Sequence, residues 1–480
     1  MKLAVPFVLV FALLAAGCGG TQGTGTGASD IVPVSAAAFI QVDTDPGSAH
    51  WKAVNELAGR FPDKQKAVDS LKKEMRSSGL DWEKDVKPAL GKELDLVWLD
   101  FARGGKDFVA LLKPKDEHKF AEFVRKGNKG ESTKVVYEKF QGWEVASDNQ
   151  AAIARFEQAS KTASASLSTN VYFQRATHEL GDASVRAYVN GSAVMNKFHT
   201  AVGANNHDVV NEFGNLDWAA ANLAASSSGV GLNVLLHGTP GKLFKGIHLT
   251  TYQSHLASAV PQNAILYWTF HGSGGLFGGL NGSSPVLGSP QFRPFRDVLN
   301  QIGKLMAGED ALYVRPAVDP KQKIPEIALV TEPAHGTNGA ATLDRLLRSY
   351  RKQLGTTPAH APNGDRVLNF GGFNIWYANA HKNLVVTNYP DAILNLQRQL
   401  SGNLSQNADY QDALRSAGVP SKTQGYLYVN IHSTVPLVEH LAQMHLPAEV
   451  RRNLAPLRSA LEYEVARSHE IEVSFFLRIK

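Results

Sequence analysis

Two carboxylates and two hydroxyls fall within six residues at Asp43-Thr44-Asp45-Pro46-Gly47-Ser48, a run that opens like a calcium loop. The fifth position is Gly47, however, and the twelfth is Val54, where such a loop needs a bidentate Glu. The run is better read as a helix start. Asp45 or Ser48 caps a helix carrying Trp51, and Pro46 suits an early helical position. His440 and His445 lie near Glu439, but residues five apart on a helix diverge by about 140° and cannot share a metal as an i, i+4 pair does. They read as surface histidines. Ser168 and Ser405 sit in two similar Leu-Ser-x-Asn blocks, and each precedes a helical stretch where a serine serves as N-cap.

Gly272-Ser273-Gly274-Gly275-Leu276-Phe277-Gly278-Gly279 has the look of a phosphate loop. Its sixth position is Phe277 and no Lys-Ser/Thr follows, so the phosphate reading fails. A plain loop remains, with a lid over a groove as its functional alternative. No Gly-x-Ser-x-Gly elbow occurs in the chain. Arg345, Arg348, Arg351 and Lys352 line one side of a predicted helix whose other side carries Leu343, Leu346, Leu347 and Tyr350. A solvated face is the ordinary meaning, and contact with anionic headgroups or wall polymers is the rival. The sequence therefore assigns no catalytic, cofactor-binding or metal residue, and the expectation is a protein without enzyme activity. The alternative is a hydrolase whose dispersed site draws on Asp43, Asp45 and His271.

The elements that would position such groups repeat. Compared with itself at an offset of about 230 residues, the chain shows matching blocks in the same order. Phe108-Val109-Ala110-Leu111-Leu112-Lys113-Pro114 answers Ile327-Ala328-Leu329-Val330-Thr331-Glu332-Pro333. Val145-Ala146-Ser147 answers Val385-Val386-Thr387, and Ala187-Tyr188-Val189-Asn190 answers Leu427-Tyr428-Val429-Asn430. The expected organisation is two tandem homologous modules, residues 31–255 and 256–480. In the first, hydrophobic periodicity predicts strands at 36–43, 94–101, 106–113, 133–139, 142–147, 184–190 and 229–237. Helices are predicted between 49 and 77, at 116–127, 149–159 and 170–180, and from 191. Short turns between adjacent strands favour antiparallel pairing, so the class is α+β, each module a mainly antiparallel sheet packed with helices. One sheet face should pack on helices, leaving the other for water, the second module or a ligand.

The N-terminus supplies a location. Met1-Lys2 precede a 14-residue apolar run, Leu3–Ala16, which is shorter than the roughly 20 residues a spanning helix needs. It reads as a signal peptide over residues 1–17. Leu14-Ala15-Ala16-Gly17-Cys18 resembles a bacterial lipobox, with Ala15 where Leu is usual. Cys18, the one cysteine of 480 residues, is the expected lipidation site. The Gly/Thr-rich stretch to residue 30 reads as a flexible tether. With 49 Lys+Arg against 44 Asp+Glu, the net charge of +5 is too small to imply a nucleic-acid partner.

The blocks Val42-Asp43-Thr44-Asp45-Pro46 with Trp51, Gly79-Leu80-Asp81-Trp82-Glu83-Lys84-Asp85-Val86 and Gly91-Lys92-Glu93-Leu94 resemble an uncharacterised lipoprotein family of high-GC Gram-positive bacteria, known as a domain of unknown function. The resemblance implies envelope location and no enzyme activity, and it assigns no site residues. The expected protein is lipid-anchored on the extracytoplasmic face of the cell membrane. It is expected to bind an envelope lipid, glycan or protein, without a cofactor.

Overall fold

A computed structural model describes residues 27–101, 105, 107–202, 214–240, 251–271, 302–317, 324–371, 373–398 and 402–480. Cys18 and the glycine run 272–279 lie outside them. The chain divides into two compact units. The first comprises residues 1–209, 215–239 and 479–480, and the second 210–214 and 240–478.

The strands of the first unit are β1 (Ala38–Asp43), β2 (Glu93–Trp98), β3 (Phe108–Leu112), β4 (Val136–Phe140), β5 (Trp143–Ser147), β6 (Val185–Asn190), β7 (Gly214–Ser226) and β8 (Gly229–Pro240). Its described ladders are antiparallel: β1 pairs with β2 and β6, β3 with β2 and β5, β4 with β5, and β6 with β7. Its helices are α1 (Ala49–Ala58), α2 (Lys64–Ser77), α3 (Glu117–Gly127), α4 (Gln150–Thr162), α5 (Val171–Leu180) and α6 (Gly191–Val202).

Alternation in the strands sets two faces. Phe39, Val97, Val109, Leu111 and Val145 point to one face and pack with Ile153 and Phe156 of α4 and Phe173 of α5. Leu94, Ala110, Leu112 and Ala146 point to the other, where Phe120 and Val124 of α3 cover them. The expectation of one free sheet face is thus corrected for this part of the sheet. An amphipathic helix, capped by Asp116 through its bond from the Lys119 amide, closes the second face as well.

The second unit contains β9 (Leu266–His271), β10 (Glu309–Arg315), β11 (Glu326–Thr331), β12 (Ala359–His360), β13 (Arg366–Phe370), β14 (Phe373–Ala380), β15 (Asn383–Thr387), β16 (Gly425–Asn430), β17 (Leu457–Arg467) and β18 (Glu470–Ile479). Among its helices are α7 (Gly339–Ser349), α8 (Pro390–Arg398), α9 (Ala408–Ala417) and α10 (Ile431–Ala442). Its ladders repeat the scheme: β9 with β10 and β16, β11 with β10 and β15, β14 with β15, and β16 with β17. Both units are α+β, with antiparallel ladders throughout.

The correspondence extends to single hydrogen bonds. Ser147 Oγ donates to the Phe108 carbonyl at 2.9 Å, and Thr387 Oγ1 to the Ile327 carbonyl at 3.0 Å. Gln174 Nε2 reaches the Ser168 carbonyl at 2.9 Å, as Gln411 Nε2 reaches that of Ser405 at 2.9 Å. The Leu167 amide donates to the Val32 carbonyl at 2.7 Å, and the Leu404 amide to that of Val260 at 2.8 Å.

One strand of the first unit departs from the sequence reading. β7 occupies residues for which no strand was predicted, and β17 holds the same ladder position beside β16. The Ala-rich run Trp218-Ala219-Ala220-Ala221 has little intrinsic strand preference. Pairing with β6, which buries Trp218 completely, overrides it.

Candidate functional site

In the second unit, the ends of β10 and β11 and the β14–β15 hairpin meet the chain segment that leads into β9. Glu309 opens β10 and is 1% exposed. A carboxylate so deeply buried requires donors, and it has them. Its Oε1 accepts from Ser254 Oγ at 2.6 Å and Thr269 Oγ1 at 2.8 Å. Its Oε2 accepts from the His255 amide at 2.8 Å and lies 2.8 Å from His255 Nδ1.

His255 continues the chain of contacts outward, with Nε2 at 2.9 Å from Glu332 Oε1, the same oxygen that Lys382 Nζ approaches at 2.6 Å. Burial alone raises the Glu332 carboxyl, but the bonds from Lys382 and His255 outweigh it and hold the group below its usual range. Behind Glu309 stands a tyrosine cluster. Ser254 Oγ lies 3.2 Å from the Tyr267 hydroxyl, and Tyr410 and Tyr426 share a hydroxyl–hydroxyl bond. Burial pushes the phenols of Tyr267 and Tyr410 far up, so they stay neutral.

Lys382 and His381 form the two-residue turn of the β14–β15 hairpin, which the Ala380–Asn383 pair closes. His381 adopts φ 54°, the left-handed conformation the turn demands. Two clefts flank this turn. One of about 690 Å³ is lined by His255, Pro261, Asn383, Asn395, Asn403 and Gln406 among others. The second, about 560 Å³, lies against Glu332, His335, Asn338 and Asn379. Lys382 and His381 border both.

In this arrangement the polar groups are engaged with one another. Ser254 gives its hydrogen bond to Glu309, and His255 stands between two carboxylates instead of beside a hydroxyl. The nucleophile–base contact that hydroxyl activation requires is not made here.

The residues singled out from the sequence are scattered. Asp43 and Asp45 stay in the first unit. Asp43 Oδ2 lies 3.2 Å from His50 Nδ1, and His50 Nε2 lies 3.3 Å from Asp182. Asp43 Oδ1 accepts from the Asp45 amide at 2.9 Å. Ser48 caps α1 through the Trp51 amide at 3.2 Å. His271, in the second unit, lies against Tyr252 with the rings tilted and their centroids 4.9 Å apart, and it faces Glu309 across the ladder.

Ser168 and Ser405 are not the caps. Asn170 accepts from the Phe173 amide at 3.1 Å and Asn407 from the Tyr410 amide at 3.0 Å. The serines belong instead to short 3₁₀ turns, where each hydroxyl bonds a neighbouring side chain, Ser166 and Asn403. α10 ends at Ala442, so His440 and His445 do not share a helix, and both are exposed. Glu439 accepts from Arg451 at 2.7 Å and from the Leu446 amide at 2.8 Å. Arg348 is engaged by Asp344 at 2.8 Å. Arg345 bonds Thr342, and Arg351 and Lys352 lie exposed beyond the end of α7.

Sequence reasoning missed Glu309, Glu332, His255 and Lys382. One signal was present. In register, Asp43 pairs with Glu93 and His271 with Glu309, so both units carry a glutamate at the same place. Gln41 donates to Glu93 at 2.7 Å as Thr269 does to Glu309. Aligning the starts of β2 and β10 would have exposed that shared acid.

No curated protein matches this sequence. Among solved structures, the chain is similar to crystal form IV of TP0453, at 14% identity over 45% of this chain and 76% of that one, with a TM-score of 0.27. Crystal form III of the same protein gives 14% identity over 46% and 78%, with a TM-score of 0.27. Residues 3–272 match a family pattern that begins in the N-terminal apolar run and extends through the first unit into β9, and the chain therefore belongs to the family described as "Protein of unknown function (DUF3352)".

Proposed function

We propose that this protein is a lipoprotein of the cell envelope, anchored through Cys18, that works as a non-catalytic binding module built from two duplicated α+β units. The observation that carries the binding reading is the pair of clefts around Lys382 in the second unit. They are bordered by groups whose protons and charges are already committed to each other. A general acid or base needs a free contact to substrate at about 3 Å. Glu309 spends its oxygens on Ser254, Thr269 and the His255 segment. Such a network fixes the wall of a cleft, and a fixed wall favours binding by lowering the ordering cost. The matched ladders and hydrogen bonds of the two units support duplication.

The purified full-length protein is expected to show no turnover on ester, peptide, glycoside or phosphate substrate panels. Turnover abolished by His255→Ala or Ser254→Ala, with the fold intact, would replace this reading by that of a hydrolase.

A further inference from the structure

The two units answer the same structural position in opposite ways. In the first, the hairpin between β4 and β5 is closed by Phe140 opposite Trp143. Both rings pack with Phe156, Leu167 and Val32 in one buried cluster. Phe140 meets Phe156 edge-on at 6.1 Å, and Lys113 Nζ sits 4.3 Å above the Trp143 ring. In the second, the hairpin between β14 and β15 is closed by Ala380 opposite Asn383, and Leu396, Leu404 and Val260 stand beside it. Three aromatic rings have given way to Ala, Asn and Leu. Close-packed interiors leave no voids of this size by default, and here the missing volume opens as the cleft of about 690 Å³.

What remains in the cleft has a definite chemistry. Asn383 is 8% exposed, and its Oδ1 is buried without a hydrogen-bond partner. A buried polar atom left unpaired costs roughly 1–3 kcal/mol and calls for an explanation. Asn395, Asn403 and Gln406 add amides, each able to donate and accept. No carboxylate is among the described lining residues, while Lys382 and His255 are compensated by Glu332 and Glu309. An acyl chain would strand these amides in an apolar contact, and a compact anion would find its cation already paired. Hydroxyl groups, which both donate and accept, match the amides.

We propose that the Asn383 cleft binds a saccharide. The assignment rests on the binding reading above and names its ligand class. The test is calorimetric titration and saturation-transfer NMR of the full-length protein with chitotetraose, maltotetraose and mannotetraose. Phosphate and phosphatidylglycerol vesicles serve as the other arms.

Saturable binding of at least one oligosaccharide is expected. It should weaken on the order of tenfold when Ala380→Phe and Asn383→Trp restore the side chains of the first unit. Should that double variant fail to fold, Gln406→Ala, on the exposed rim, is expected to lose roughly threefold to tenfold. Absence of saccharide binding, or affinity unchanged in both variants, overturns the proposal. Phosphate or vesicle binding that the same substitutions abolish also overturns it, while leaving the non-catalytic reading standing. Hydrolysis of a bound oligosaccharide upholds this assignment and overturns the non-catalytic reading.

Discussion

Asp95 lies wholly buried in β2, and neither of its carboxyl oxygens has a hydrogen-bond partner. Burial, with the neighbouring Glu93 charge adding to it, pushes the carboxyl well above its usual value. A raised carboxyl contributes its full share of stability below the unfolded pKa and loses it as pH rises toward the folded one. The second unit avoids that loss. Opposite Gln41 in the first ladder stands Asp95, whereas opposite Thr269 in the second stands Ala311. Asp95→Ala is therefore expected to stabilise the protein by about 1–3 kcal/mol at pH 7. The gain should be larger at pH 8 than at pH 5, read from urea denaturation at each pH. An equal gain at both, or a loss, would show that the carboxyl is hydrated or paired.

At the scale of elements, the two cap asparagines make the strongest case for reading the units side by side. Asn170 and Asn407 begin α5 and α9, and Asn407 also donates through Nδ2 to the Gln262 carbonyl at 2.8 Å. Replacing either by Ala is expected to cost about 1 kcal/mol, and by similar amounts, because each loses two bonds: Asn170 also accepts from the Tyr172 amide at 2.8 Å. Ser168→Ala and Ser405→Ala should stay within about 0.5 kcal/mol. Thermal melts of the four variants check this, and equal losses at serines and asparagines would refute the capping assignment.

The same helices show what the sequence could disclose. The Leu-Ser-x-Asn blocks at Leu167 and Leu404, and the pair Asn190 and Asn430, were legible because local pattern and tertiary role agree there. β7 was hidden because its alanines are indifferent to strand geometry and only the β6 partner fixes them. The cleft was hidden more deeply. Its lining comes from residues 255–261, 380–383, 395–396 and 402–406, and the decisive change from Trp143 to Asn383 acquires meaning only when two hairpins are superposed in register.

In the proposed scheme the whole molecule joins three functions that separate physically: attachment, spacing and recognition. No described helix is long and apolar enough to cross a membrane; attachment in the proposed scheme belongs to a lipid on Cys18. Two acyl chains suffice for stable anchoring where one is marginal, at about 0.8 kcal/mol per buried methylene. The proposed tether is rich in Gly and Thr, but its last residues already belong to the first unit: Ala28–Asp30 form a 3₁₀ turn and Ala28 is fully buried in the core. The clefts lie in the second unit, and their walls are built from residues 255 to 406.

Losing the anchor should therefore leave both folding and the cleft untouched. Cys18→Ser is expected to abolish fatty-acid labelling and move the protein from the membrane to the soluble fraction. The melting temperature and the oligosaccharide titration should match those of the parent protein. A Cys18→Ser protein that stays membrane-bound would show that attachment resides in the body of the chain. A released protein with altered melting would instead show that the anchor supports the fold.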